Sequence, residues 1–121
     1  MIKIVTVDGP AGSGKEKISK YISRKYKLYH IDSGIFYRRL AYELEKRFIK
    51  ANQIQNIKNL INKLNTLSLR KQAVLRQEKI GYIASEIAKY KFVRDFVNFQ
   101  QRSATKKLKN SRGFVIDGRD I

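Results

Sequence analysis

The sequence contains no cysteine, a single histidine and no long apolar run. Without cysteine there can be no disulfide, no thiolate zinc site and no cysteine nucleophile, and His30 cannot build a metal site alone. No stretch approaches the roughly 20 apolar residues that span a bilayer. The first apolar run is interrupted by Lys3 and ends at Asp8, unlike a signal peptide. We therefore expect a cytoplasmic protein with no membrane partner.

Acidic residues are also scarce, because 10 aspartates and glutamates stand against 27 lysines and arginines, a formal net charge of +17. Such an excess attracts polyanions such as RNA, DNA and the phosphates of nucleotides. The cations are scattered through helical segments rather than gathered in one block, which is also typical of a solvated surface without a partner. Both interpretations stay open at this point. The length of 121 residues predicts one domain with one core.

The most specific signal is the segment 9–15, which reads G-P-A-G-S-G-K and directly follows the apolar run at 2–8. Glycines at 9, 12 and 14 let several backbone N–H groups converge on one point, and Lys15 places a positive charge beside the terminal phosphates of a nucleotide. A strand, this loop and a following helix predict a phosphate-binding loop. Glu16 departs from the general pattern, which has a serine or threonine there for magnesium.

Strands and helices alternate along the chain. Apolar runs at 2–8, 28–31 and 114–116 predict strands, and helical patterns occupy the segments between them. This order predicts an α/β fold with a parallel sheet flanked by helices, in which ligands bind beyond the carboxyl ends of the strands. Asp8, Asp32 and Asp117 stand at these ends, and a glycine follows each within two residues. We expect the three ends to share one crevice, with the phosphate loop as its floor.

Apolar residues at helical spacing predict helices over 15–27, from 33 to about 48, over 54–64 and, in two segments, from 79 to about 109. Two predicted faces are specific enough to test: Ile18, Tyr21, Ile22 and Tyr26 on the first helix, and Phe36, Leu40, Leu44 and Phe48 on the second. The segment 67–75 is weakly patterned and fits a strand, a turn or a loop.

Four segments together resemble bacterial cytidylate kinase, in the order of that family. They are G-P-A-G-S-G-K at 9–15, I-D-S-G-I-F-Y-R at 31–38, I-A-S-E-I-A with V-R within 83–94, and Q-R at 101–102 leading to I-D-G-R-D-I at 116–121. The resemblance implies the phosphate-loop nucleoside monophosphate kinase fold. It also implies transfer of the γ-phosphoryl group of ATP to CMP or dCMP, with magnesium, in pyrimidine nucleotide metabolism. By the same resemblance, residues from about 51 to about 90 belong to the CMP-binding region of a single domain. We also expect the protein to be a monomer.

The resemblance also implies roles for individual residues. The ATP phosphates would be bound by Gly9, Pro10, Ala11, Gly12, Ser13, Gly14, Lys15, Glu16 and Lys17. CMP would be bound by Ser33, Arg38, Ser85, Arg94, Arg119 and Asp120. Lys15 and Arg119 would be the catalytic residues, and no side chain is assigned as a metal ligand. Arg38 and Arg119 would grip the acceptor phosphate, and Ser85, Arg94 and Asp120 would read the cytosine edge.

Simpler interpretations of these residues remain open. Ser33 fits an N-cap equally well, and Arg38, beside another arginine, fits ordinary helix surface. Ser85 and Arg94 taken singly are typical of surface residues. Asp117 is a candidate for orienting Arg119, and His30 is expected to be a structural residue.

The chain departs from the family at three places. Glu16-Lys17 replaces a small residue and a hydroxyl, so that Glu16 would repel phosphates unless it binds magnesium or pairs with Lys17. The segment 67–77 is shorter than the family's small sheet insert. The sequence ends at 121, before the family's C-terminal half and its arginine-bearing lid, so we expect negligible activity of this chain alone and an exposed sheet edge.

Two functions are therefore compatible with the sequence. The first is a cytidylate kinase homologue in incomplete form. The second is a basic module, derived from a kinase half, that binds nucleic acid through non-specific charge or serves as an interaction module. A different phosphate-loop kinase is a weaker third option, because the D-G-R-D segment suits adenylate or shikimate kinase less well.

Overall fold

The structure is a computed structural model, and it describes residues 4–9, 14–64, 66–68, 72–107 and 113–118. In chain order its elements are β1 (Ile4–Asp8), α1 (Lys15–Tyr26), β2 (Tyr29–Asp32), α2 (Gly34–Lys46), α3 (Ile54–Lys63), a 3₁₀ helix (Ala73–Arg76), α4 (Glu78–Ile87), α5 (Lys91–Lys107) and β3 (Phe114–Gly118). This alternation confirms the predicted α/β class. No helix in the described ranges is long and apolar enough to cross a membrane.

The chain divides into two compact units. The phosphate-loop unit comprises Met1–Ser33 and Gln101–Ile121, and the helical unit comprises Gly34–Gln100. The sequence predicted a single domain, and that assignment stays a prediction.

The phosphate-loop unit is built on a parallel sheet with the strand order β1-β3-β2. Its register aligns Val7 with Asp117 and Asp32 with Asp117, so the carboxyl ends of the three strands lie at one edge of the sheet. The central strand β3 is buried throughout residues 114–117, as expected of a parallel strand with neighbours on both sides. This arrangement confirms the predicted parallel sheet.

The predicted apolar face of α1 is not buried. Ile18, Tyr21 and Tyr26 are each about half exposed, and Ser19 is the buried residue of this helix. Successive helical positions are rotated by about 100°, so a helix that meets its neighbours through residue 19 turns residue 18 to the side of that contact and residue 21 to the opposite face. The helix was predicted correctly, whereas its buried face was not.

In the helical unit, α2 packs against α4 and the 3₁₀ helix. Its core consists of Phe36, Leu40, Ala41, Leu44, Ile57, Leu60, Leu67, Leu75, Ile80, Ala84, Ile87, Val93 and Val97. The 3₁₀ helix, Ala73–Arg76, begins within the weakly patterned segment 67–75, and its Leu75 is buried.

Phe48 is the clear exception to the predicted face of α2. The helix ends at Lys46, and Phe48 is 92% exposed with a left-handed φ of 57°. The N–H of Ile49 donates to the carbonyl of Leu44, and that of Phe48 donates to the carbonyl of Glu45, which is the Schellman pattern of a helix end. The chain therefore reverses before Phe48 can reach the core.

Candidate functional site

The phosphate loop is described at its two ends. Gly9 directly follows β1, and Gly14 precedes α1 with φ 84° and ψ 6°. A Cβ at Gly14 would meet nothing within 4 Å, so glycine is required there by the left-handed backbone and not by lack of space. The predicted ligands Pro10, Ala11, Gly12 and Ser13 lie outside the described residues.

Lys15, Glu16 and Lys17 form the first turn of α1, where unpaired N–H groups and the helix dipole favour an anion. Glu16 forms an ion pair with Lys20, one turn along the helix, at 3.1 Å. The lysine that pairs with Glu16 is therefore Lys20 and not Lys17. The pKa of Glu16 is lowered, chiefly because Lys20 donates a hydrogen bond to it and adds a positive charge. The carboxylate is thus ionised, and Lys20 partly offsets its repulsion of a phosphate.

At the carboxyl ends of the strands, Asp117 is almost fully buried and its Oδ2 lies 2.6 Å from Nε2 of His30. This contact agrees with the structural role predicted for His30. The buried Oδ1 of Asp117 has no hydrogen-bond partner in the described part of the chain. Ser33 is also buried, and its backbone N–H donates to the carbonyl of Asp117 at 2.9 Å. Ser33 therefore lies beside the end of β3 and directly before α2.

In the helical unit, Arg38 is not an ordinary surface residue. Its Nη1 donates to the carbonyl of Leu75 at 2.7 Å, in the 3₁₀ helix. Its guanidinium also lies against α4, because a Cβ at Gly81 would be 3.3 Å from Nη2 of Arg38. The side chain thus crosses from α2 to two other elements.

Ser85 lies further along α4, and Arg94, on α5, reaches the C-terminal end of α4. Ser85 is exposed and one helical turn beyond Gly81, which places both residues on one face of α4. Nη1 of Arg94 donates to the carbonyls of Ala88 and Lys89, at 3.1 and 2.8 Å, at the C-terminal end of α4. Arg38, Ser85 and Arg94, the three predicted CMP ligands, therefore lie along α4. The helix axis from Gly81 to Ala88 is about 10 Å long.

A family model described as Cytidylate kinase matches residues 5–121, which is nearly the whole chain. The chain belongs to the cytidylate kinase family.

Members of this family align with almost the full length of this chain. A bifunctional pantoate ligase/cytidylate kinase of Prochlorococcus marinus (strain AS9601) is 39% identical over 132 residues, covering 98% of this chain and 25% of the relative. A cytidylate kinase of Bartonella tribocorum is 36% identical, and one of Fusobacterium nucleatum is 32% identical. This chain spans 53% and 56% of their respective lengths, about half of each cytidylate kinase.

Membership of the cytidylate kinase family confirms the predicted fold class, and the site assignments stay predictions. The structure brings Arg38, Ser85 and Arg94 to one helix, whereas Arg119 and Asp120 lie outside the described residues.

Two contributors to the candidate site were missed from the sequence: the carbonyl of Leu75 and Gly81, which packs against Arg38. The second left a signal, because a glycine inside a helical pattern often has a packing reason. The Leu75 carbonyl left no signal in the sequence, because every residue has a backbone carbonyl.

Proposed function

We propose that this chain carries the ATP-phosphate and CMP sites of an enzyme that transfers the γ-phosphoryl group of ATP to CMP or dCMP, giving ADP and CDP or dCDP. Membership of the cytidylate kinase family supports the reaction class. We further propose a monomer in the cytoplasm, as expected from the sequence.

The observation that carries the proposal is the course of the Arg38 side chain. An arginine on a helix surface would point into water, but this guanidinium is held at Leu75 and Gly81, one turn of α4 from Ser85. A planar cation fixed at two places is suited to bidentate binding of a phosphate. Arg94, at the other end of this row, would then lie on the nucleoside side of CMP.

The chemistry requires no catalytic base, because the attacking phosphate oxygen of CMP is already ionised. Phosphoryl transfer depends on alignment of the two substrates and on neutralisation of charge. In this proposal the N-terminus of α1 and Lys15 bind the ATP phosphates, and Arg38 and Arg119 orient the acceptor phosphate. Asp120 would accept a hydrogen bond from the cytosine amino group, which uracil lacks.

The residues of the phosphate-loop unit fit magnesium carried on the nucleotide. Asp8 and Glu16 are exposed carboxylates on either side of the loop in sequence, and Mg²⁺ prefers such oxygen ligands together with substrate phosphates. No cluster of three metal-ligating side chains occurs within the described ranges, and a nucleotide-borne ion does not need one. Bound magnesium would neutralise charge on the phosphates.

The test is protection of the chain against urea unfolding by CMP, followed by far-UV circular dichroism. At a hundredfold excess of CMP over its dissociation constant, we expect about 2.7 kcal/mol of stabilisation. UMP should give much less, and Arg38→Ala should abolish the CMP effect. Arg47→Ala is the matched control, because Arg47 lies just beyond α2 and pairs with Glu43. Equal protection by CMP and UMP, or none by either, would contradict the proposal.

A second candidate function, nucleic-acid binding, is favoured by the surface of α1. Tyr21 and Tyr26 are about half exposed, and Nζ of Lys25 lies 5.7 and 5.6 Å from their ring centroids. Exposed aromatic rings among cations suit the stacking of single-stranded bases. This function would be supported by salt-dependent binding of mixed RNA that neither ATP nor CMP displaces. Tyr21→Ser should weaken that binding. Loss of RNA binding on addition of ATP would instead assign it to the phosphate loop.

A further inference from the structure

Gly81 occupies an unusual position for a glycine, because it lies inside α4 with ordinary helical geometry. The positive-φ glycines described in the chain are Gly14 and Gly113, so the backbone conformation does not require glycine at 81. Glycine weakens a helix interior relative to alanine. Its presence in α4 therefore points to a need for space rather than for conformation.

The space is taken by Arg38. A Cβ at Gly81 would lie 3.3 Å from Nη2, 3.6 Å from Cζ and 3.6 Å from Nη1 of that residue. The first distance is closer than nine in ten contacts of a real Cβ, so the guanidinium would have to move by a few tenths of an ångström. The hydrogen bond from Nη1 to Leu75 limits that movement, because it holds the same group from a second side.

The contact at Gly81 leaves the donors of Arg38 in place for an anion. The bond to Leu75 uses one of the five N–H groups of the guanidinium. A methyl group at 81 would push the guanidinium away from α4, and bidentate binding of a phosphate depends on the angle of the planar group.

We propose that Gly81 is a positioning residue for the acceptor phosphate: together with the Leu75 carbonyl it holds the Arg38 guanidinium against α4 in the orientation that binds the phosphate of CMP. This inference rests on the proposed function for the identity of the phosphate. The position of Arg38 itself does not depend on that identity.

The first test is the affinity of the full chain for CMP and for cytidine, measured by titration calorimetry. Gly81→Ala should raise the dissociation constant for CMP about fivefold, and Gly81→Leu at least about thirtyfold, because small displacements of a positioning group have large effects. Affinity for cytidine, which has no phosphate, should not change. Tyr82→Ala is the matched control on α4, since Tyr82 is exposed and adjacent in sequence, and it should leave CMP binding unaltered.

Stability separates positioning from a merely structural role. Alanine is a better helix former than glycine, so Gly81→Ala should keep or raise the thermal midpoint while it weakens CMP binding. In an Arg38→Lys background, which lacks the guanidinium, Gly81→Ala should have no further effect on CMP affinity. A parallel loss of CMP and cytidine binding, or full additivity with Arg38→Lys, would overturn the proposal.

A second measurement decides the matter without any ligand. The Nη–H signals of Arg38 in ¹⁵N-labelled chain, assigned by their loss in Arg38→Lys, should be resolved because the guanidinium is held and rotates slowly. Gly81→Leu should average them. Averaged signals in the unaltered chain, or unchanged signals in Gly81→Leu, would refute the positioning role. Resolved signals that Gly81→Leu averages, in a chain that does not bind CMP, would instead refute the proposed function and the acceptor phosphate with it.

Discussion

Replacing His30 by alanine is expected to destabilise the phosphate-loop unit through Asp117. The carboxylate of Asp117 is 1% exposed, and His30 donates a hydrogen bond to it over 2.6 Å. Hydrogen bonds to charged groups contribute about 1.5–3 kcal/mol, and leaving a buried charge unpaired costs more. The side chain of His30 is 19% exposed, so water can replace part of the lost contact. We therefore expect His30→Ala to lower the free energy of unfolding by about 2 kcal/mol.

Urea unfolding at pH 7, without nucleotide, measures this loss. For a chain of this size it corresponds to a fall of about 8 °C in the thermal midpoint. Adding Asp117→Asn to His30→Ala should recover about half of the loss, because a neutral amide is less costly to bury unpaired than a carboxylate. The reasoning is wrong if His30→Ala changes stability by less than about 0.5 kcal/mol, the usual range of surface substitutions. It is also wrong if Asp117→Asn destabilises the His30→Ala protein as much as the unaltered one.

Two further substitutions test the helical unit. Burial raises the pKa of Glu43, but hydrogen bonds from Arg47 and Lys46 outweigh this effect, so the folded pKa lies below the ordinary value for a glutamate. The stabilisation is therefore complete above the ordinary pKa of glutamate and is lost as the pH falls through the folded pKa. Urea unfolding should show Glu43→Gln less stable by about 1 kcal/mol at pH 7, and this deficit should shrink as the pH falls through the folded pKa. A deficit that does not change with pH would contradict this. Phe48→Gly should raise stability by about 1 kcal/mol, because it relieves a left-handed φ at an exposed helix end, and an unchanged urea midpoint would argue against that strain.

The sequence was sufficient for the strands and α-helices of this fold because each of them carries a local signal, which the 3₁₀ helix lacks. Apolar runs ending in aspartate marked the three strands, and helical spacing marked the five α-helices, that the described residues form. It was insufficient for burial, as α1 and Phe48 demonstrate. Helical spacing shows that Ile18 and Tyr21 are near each other, but the face that meets the sheet depends on tertiary contacts, here through Ser19. Likewise, no local signal distinguished Phe48 from Leu44, since the Schellman turn that excludes Phe48 has no glycine.

Neighbouring arginines show the same limit at the candidate site. Arg38 and Arg39 were equivalent in the sequence as possible helix surface. In the structure, Arg39 is buried and its Nη1 donates to the side chain of Gln72 at 2.6 Å, whereas Arg38 reaches Leu75 and Gly81. Adjacent residues on a helix point about 100° apart, so their different partners follow from which elements lie on each side. Those elements come from segments more than 30 residues later in the chain, which local patterning cannot place.

These contacts also change what the net charge of +17 implies. A cation that stabilises the fold through a specific carbonyl or carboxylate is not equally available to a polyanion, and several are engaged in this way. Arg94 holds the end of α4, Arg39 holds Gln72, and Lys20 pairs with Glu16. Arg38, like Arg94, donates to a neutral carbonyl, which fixes the place of the guanidinium without neutralising its charge. A positive charge that is held in place and has no carboxylate partner among the described residues is what an anion site requires, so the positions of these two arginines support nucleotide binding better than the excess of 17 does.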